Sequence, residues 1–70
     1  MHGKLFVFES GEAITANLLE GIVYLSENPN YGFRKILNVG AGQLNNVCFP
    51  SEKVGYGLGN HGRIFKYTKK

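Results

Sequence analysis

Slid along itself by 41 positions, the chain aligns Phe8 with Phe49, Ser10 with Ser51 and Gly21 with Gly62. Around those identities Phe6 meets Val47, Val7 meets Cys48, Val23 meets Ile64 and Tyr24 meets Phe65. A period of this length is the mark of a repeat architecture, in which one small unit of secondary structure is used again and its copies bury a common core. With 70 residues there is room for one copy and most of a second. The ends of the alignment are firm. In the middle, "SGEAITANLLEG" and "SEKVGYGLGNHG" share a length but not a clean strand pattern.

Each copy reads as a run of short strands. In the first, "KLFVFE" is aromatic and β-branched, "EAITAN" alternates, "GIVYLS" is continuously apolar and "FRKILNV" mixes basic and apolar residues. Ser10-Gly11, Gly21 and Asn28-Pro29-Asn30 are turn signals between them. The second copy offers "LNNVCF", "VGYGLG" and "RIFKYT". Residues 12–20 could form a short helix, but Ile14, Thr15 and Asn17 weaken that reading. The expectation is therefore all-β, with seven strands and no helix. Four antiparallel strands at a period in the forties describe a β-propeller blade. Blade 1 would occupy approximately 3–40, and an incomplete blade 2, lacking its outermost strand, approximately 43–70. A small β-barrel or sandwich is the alternative.

Ten glycines fit such a domain, and four of them crowd between Gly55 and Gly62. There Gly57-Leu58-Gly59-Asn60-His61-Gly62 spells G-x-G-x-x-G, the dinucleotide-binding turn. That turn needs a following helix and an acidic residue about 20 positions on. Only eight residues follow Gly62, aromatic and β-branched in character, with no acid among them. A strand explains the pattern better. Val54, Tyr56 and Leu58 would share one face and Gly55, Gly57 and Gly59 the other. The bare face admits a bulky neighbour, and Asn60-His61-Gly62 supplies a turn with Gly62 at positive φ.

The segment "NNVCFPSEKVGYGLGNHGRIFKYT" resembles the repeat of photosystem II assembly-factor-like propellers, on Phe49, Gly55-Tyr56-Gly57-Leu58-Gly59, Gly62, Ile64 and Thr68. These are related to the BNR or Asp-box propellers, whose hairpin signature is S-x-D-x-G-x-x-W. Ser26-Glu27-Asn28-Pro29-Asn30-Tyr31-Gly32-Phe33 is a degenerate form of that box. The resemblance implies structural roles for Ser26, Asn28, Asn30, Phe33 and Gly62. Asn28 would cap the turn, Asn30 would take a left-handed backbone and Phe33 would be an apolar anchor. A propeller of four to eight such blades needs roughly 160 to 330 residues. The chain thus resembles either the C-terminal piece of a larger ring or a short protein that builds a ring from several copies.

Composition narrows the chemistry. One cysteine allows no internal disulfide, and two separated histidines make no metal cluster, so no cofactor or metal is expected. Cys48, matched to Val7 between two phenylalanines, is expected to be a small buried hydrophobe. The five acids are all glutamates, and their spacing sets up no catalytic pair. Sialidase-type chemistry would need an arginine cluster, whereas only Arg34 and Arg63 are present. No catalytic residue is assigned.

The candidate binding residues are Arg34, Lys35, His61, Arg63 and Lys66, with edge-strand charge and a polar turn as the plainer account. A net charge of +3, partly from Lys66, Lys69 and Lys70 near the end, is mild for a nucleic-acid binder. No apolar run is long enough to span a bilayer, and Met1-His2-Gly3-Lys4 does not open a signal peptide. The function expected is a non-catalytic binding or scaffold module acting through a protein partner or self-association. A carbohydrate-binding or sialidase-related fragment is the alternative, which Tyr24, Tyr31, Tyr56 or Tyr67 around one pocket would favour. A small basic nucleic-acid-binding barrel comes third.

Overall fold

The computed structural model describes residues 3–69; Met1 and His2 of the start and Lys70 of the terminal basic group lie outside them. Seven strands follow one another: β1 Gly3–Val7, β2 Ala13–Asn17, β3 Ile22–Ser26, β4 Arg34–Asn38, β5 Leu44–Ser51, β6 Val54–Gly59 and β7 Ile64–Thr68. They form two antiparallel meanders, β1-β2-β3-β4 and β5-β6-β7. The all-β expectation holds, and every expected strand appears. Residues 13–17 are extended rather than helical. The branched side chains of Ile14 and Thr15 and the ladders to β1 and β3 on either side favour this.

Strand alternation sorts the side chains into faces. In the first sheet the register Phe6↔Ile14↔Leu25 and Lys4↔Ala16↔Val23↔Leu37 defines the inner face. In the second, Val47↔Gly57↔Phe65 and Gly55↔Tyr67 do the same, and the Phe49 ring packs over Gly55. The two inner faces meet in one core of Ile14, Ala16, Val23, Leu25, Leu44, Val47 and Phe49, all buried. Burying each of Ile14, Val23 and Leu25 contributes roughly 1.5–3 kcal/mol. Phe6, Phe49 and Tyr67 form an aromatic chain across the core, with centroids 5.9 and 6.0 Å apart.

The glycines of β6 explain how three aromatics fit there. Gly55, Gly57 and Gly59 are buried on the inner face while Tyr56 and Leu58 point out, as the alternation predicts. Side chains from β5 and β7 fold over the bare strand, so a β-carbon at Gly59 would lie 2.7 Å from Phe65 Cε2. The glycines thus serve close packing.

Residues 39–43 carry the chain between sheets along the β2–β3 turn. Val39 donates to the Gly21 carbonyl at 2.9 Å and Gly42 to the Leu19 carbonyl at 3.2 Å. Asn60 Nδ2 donates to the Gly42 carbonyl from the β6–β7 turn. At the other end, Lys69 Nζ meets Glu12 Oε2 at 3.2 Å, tying the exit of β7 to the β1–β2 loop.

Candidate functional site

The feature most able to act on another molecule is the outer face of the second sheet. Alternation along β5 and β6 turns Cys48, Tyr56 and Leu58 outward, and Ile64 stands opposite Leu58 on β7. Tyr56, Leu58 and Ile64 are 43%, 49% and 73% exposed, which is unusual for three large apolar side chains in one patch. They surround a shallow groove of about 220 Å³ with Asn46 at its rim. Lys66 Nζ lies 6.0 Å from the centroid of the Tyr56 ring, so a cation borders the patch over an aromatic face. The outer face of the first sheet is mixed: Leu5 and Val7 are exposed, Thr15 and Tyr24 lie in register with Leu5, and Lys35 stands beyond Tyr24.

Cys48 corrects the sequence reading, since it is exposed and not buried. Its position in β5 places it on the face opposite Val47 and Phe49, and the pleat turns it to solvent. The alternating Tyr56 and Leu58 carried the signal for this face, but with nothing to show which side of the strand was covered.

The five candidate binding residues do not come together in one sheet. Arg34 and Lys35 lie on β4, the edge of the first sheet, while Lys66 lies on β7, the edge of the second, with Arg63 just before it. Arg34 makes an exposed ion pair with Glu27 at 3.0 Å. Lys35 stands opposite Tyr24 on the outer face of its sheet. Arg63 lies over the Phe65 ring, 5.4 Å from its centroid. His61 is exposed in the β6–β7 turn at φ 59°, ψ 32°, a left-handed conformation next to Gly62 at φ 74°. The positive φ expected of Gly62 is present, and His61 shares it.

The box-like segment after β3 is built as a turn, with two corrections. Asn28 accepts a hydrogen bond from the Asn30 N–H at 3.0 Å and caps the 3₁₀ turn Pro29–Tyr31, as expected. Asn30 is not left-handed; the positive φ falls on Gly32, at 93°. Asn30 lies inside the 3₁₀ turn Pro29–Tyr31, whose hydrogen bonding holds it at negative φ, and Gly32 closes the turn with the reversal. Phe33 is 45% exposed and so is only a partial anchor. Ser26 is buried, its hydroxyl without a hydrogen-bond partner among the described residues.

The tyrosines do not ring one pocket. Tyr56 borders the groove of the second sheet, Tyr31 a hollow near Glu27 and Arg34, and Tyr24 a hollow on the first sheet. Tyr67 belongs to the core-facing side of β7. Among the described residues no cluster of three His, Cys, Asp or Glu side chains could hold a metal ion, and no helix is long and apolar enough to cross a membrane. Comparison with protein-family models, with curated proteins and with solved structures finds no match for this chain.

Proposed function

We propose that this chain is a non-catalytic protein-binding or scaffold module, built from two blades of β-propeller type and working through the outer face of its second sheet. The observation that supports it most is the exposed patch of Tyr56, Leu58 and Ile64 on adjacent strands. A flat apolar patch flanked by a cation suits protein better than a small polar ligand, which needs a concave site with converging polar groups. The propeller reading rests on the 41-residue repeat and on sheets that are four- and three-stranded meanders. A glycan-binding reading has less support, because the tyrosines line separate hollows.

A photo-crosslinking residue at Tyr56, introduced in cells that naturally make the chain, tests this. Protein adducts at Tyr56 that are absent at Asn30 and lost with Leu58→Asp are the expected result. Equal adduct formation at both positions, or none at either, would remove the reading.

A further inference from the structure

We infer that the free edge of β7 takes up an extended acidic segment of another protein, as a fourth strand of the second sheet. This site is the strand's edge, so it stands independently of the patch on the sheet's outer face.

The topology points to it. β3 and β7 are each third in their meanders, but β3 is flanked by β2 and β4, whereas β7 has only β6 beside it. Two bonds fix which backbone groups are left over. Gly59 donates to the Arg63 carbonyl and Lys69 to the Lys53 carbonyl, both at 2.8 Å. Along a regular antiparallel ladder such bonded pairs recur at every second residue. Arg63, Phe65, Tyr67 and Lys69 therefore turn their backbone N–H and C=O toward β6, while Ile64, Lys66 and Thr68 turn theirs away from it. No other strand pairs with these three among the described residues, and all three are exposed. Such a row of open backbone groups is a template for strand addition.

The other edges are less suited. β4 carries a bulge at Ile36, and β5 is interrupted by two register shifts and by Pro50. β7 pairs along its whole length without a shift. β1 is equally regular but belongs to a sheet that already has four strands.

Side chains along β7 define the occupant. Lys66 is exposed on the outer side and Arg63 is exposed at the head of the strand; neither makes an ion pair among the described residues. No acid lies on β6 or β7. At the Thr68 end, Glu12 is held by Lys69 and Glu52 sits in the β5–β6 turn. A carboxylate opposite Lys66 makes a favourable cross-strand pair, whereas a cation there is repelled. On the inner side Phe65 and Tyr67 are half-buried against the core, where β4 of the first sheet supplies Ile36 and Leu37. The segment is thus one in which apolar residues alternate with acids. A second copy of this chain does not offer it. β1 would bring Lys4, β4 would bring Arg34 and Lys35, and another β7 would bring Lys66 itself.

Dye-labelled peptides of alternating valine and glutamate, titrated with the full chain and followed by fluorescence anisotropy, test this. The glutamate peptide should bind, and a peptide with lysine in place of glutamate should bind at least about fivefold more weakly. In an antiparallel fourth strand the residue opposite Lys66 is one whose own N–H bonds to β7. N-methylation of the glutamates should therefore abolish binding, and N-methylation of the valines should preserve it. Lys66→Glu should reverse the preference between the two peptides. Circular dichroism and urea unfolding verify its fold; Lys66→Gln, in which the preference should shrink, replaces it if the fold is lost. Leu58→Ser, which breaks the outer-face patch, should leave binding unchanged. No binding by the unaltered chain, equal binding of the two peptides, or indifference to which residues are methylated overturns the inference. Loss of binding in a folded Leu58→Ser chain would place the peptide on the outer face and overturn it too.

Discussion

The ring of Phe49 lies on the bare backbone of Gly55, so closely that a β-carbon there would sit 2.2 Å from Phe49 Cε2. Phe49 cannot easily move aside, because it is buried between Phe6 and Tyr67. Gly55→Ala is therefore expected to overpack the core, at a cost of about 2 kcal/mol in urea unfolding. Shortening the ring with Phe49→Leu should relieve the clash. The Gly55→Ala step would then cost at least about 1 kcal/mol less in the Phe49→Leu background. Strict additivity of the two changes would mean that something other than this ring excludes the side chain.

Gly21 and Gly62 are repeat partners with similar left-handed backbones, at φ 71° and 74°. Their surroundings differ. A β-carbon at Gly21 would lie 2.1 Å from the Gly40 carbonyl oxygen, which is backbone and held by the linker's hydrogen bonds, while nothing lies within 4 Å of one at Gly62. Gly62→Ala should show only the conformational cost, about 1–2 kcal/mol. Gly21→Ala adds a clash with backbone and should cost about 3 kcal/mol or more, shown by a lower urea midpoint or a chain that does not fold. Equal costs would count against the linker's close approach to the β2–β3 turn.

These two glycines also show how far the sequence could be read. Strand positions, the glycine face of β6 and the turn at Gly62 follow from alternation and turn chemistry, which are local. The faces followed less surely across the repeat. Leu58 and Ile64 close the second sheet's hairpin with five residues between them, whereas Asn17 and Ile22 close the first with four. That one-residue difference flips faces. At an offset of 41, Ala16 and Gly57 both point inward, yet inward Val23 matches outward Ile64. Cys48 was misread for a related reason: its apolar neighbours announced a buried strand, but not which of its two faces was covered. The candidate cations were legible as edge-strand charges, while their division between two sheets depended on long-range topology.

Two ion pairs should contribute unequally. Lys69 and Glu12 are 30% and 16% exposed and join segments distant in sequence, whereas Arg34 and Glu27 are 61% and 64% exposed. Glu12 also accepts from Ser10 Oγ at 3.3 Å. Glu12→Gln is expected to lower stability by about 1 kcal/mol, and Arg34→Ala to change it by less than about 0.5 kcal/mol. Urea titrations at low and moderate salt measure both. A larger loss from Arg34→Ala would point to a role for Arg34 beyond this exposed pair.

Cys48 offers a direct probe of the second sheet's outer face, since it lies beside Tyr56 in register and is exposed. In the folded chain a maleimide should label it nearly as fast as in the urea-unfolded chain, after correction for pH and solvent. Slow labelling of the folded chain would instead place the thiol inside the molecule and contradict the face assigned to β5.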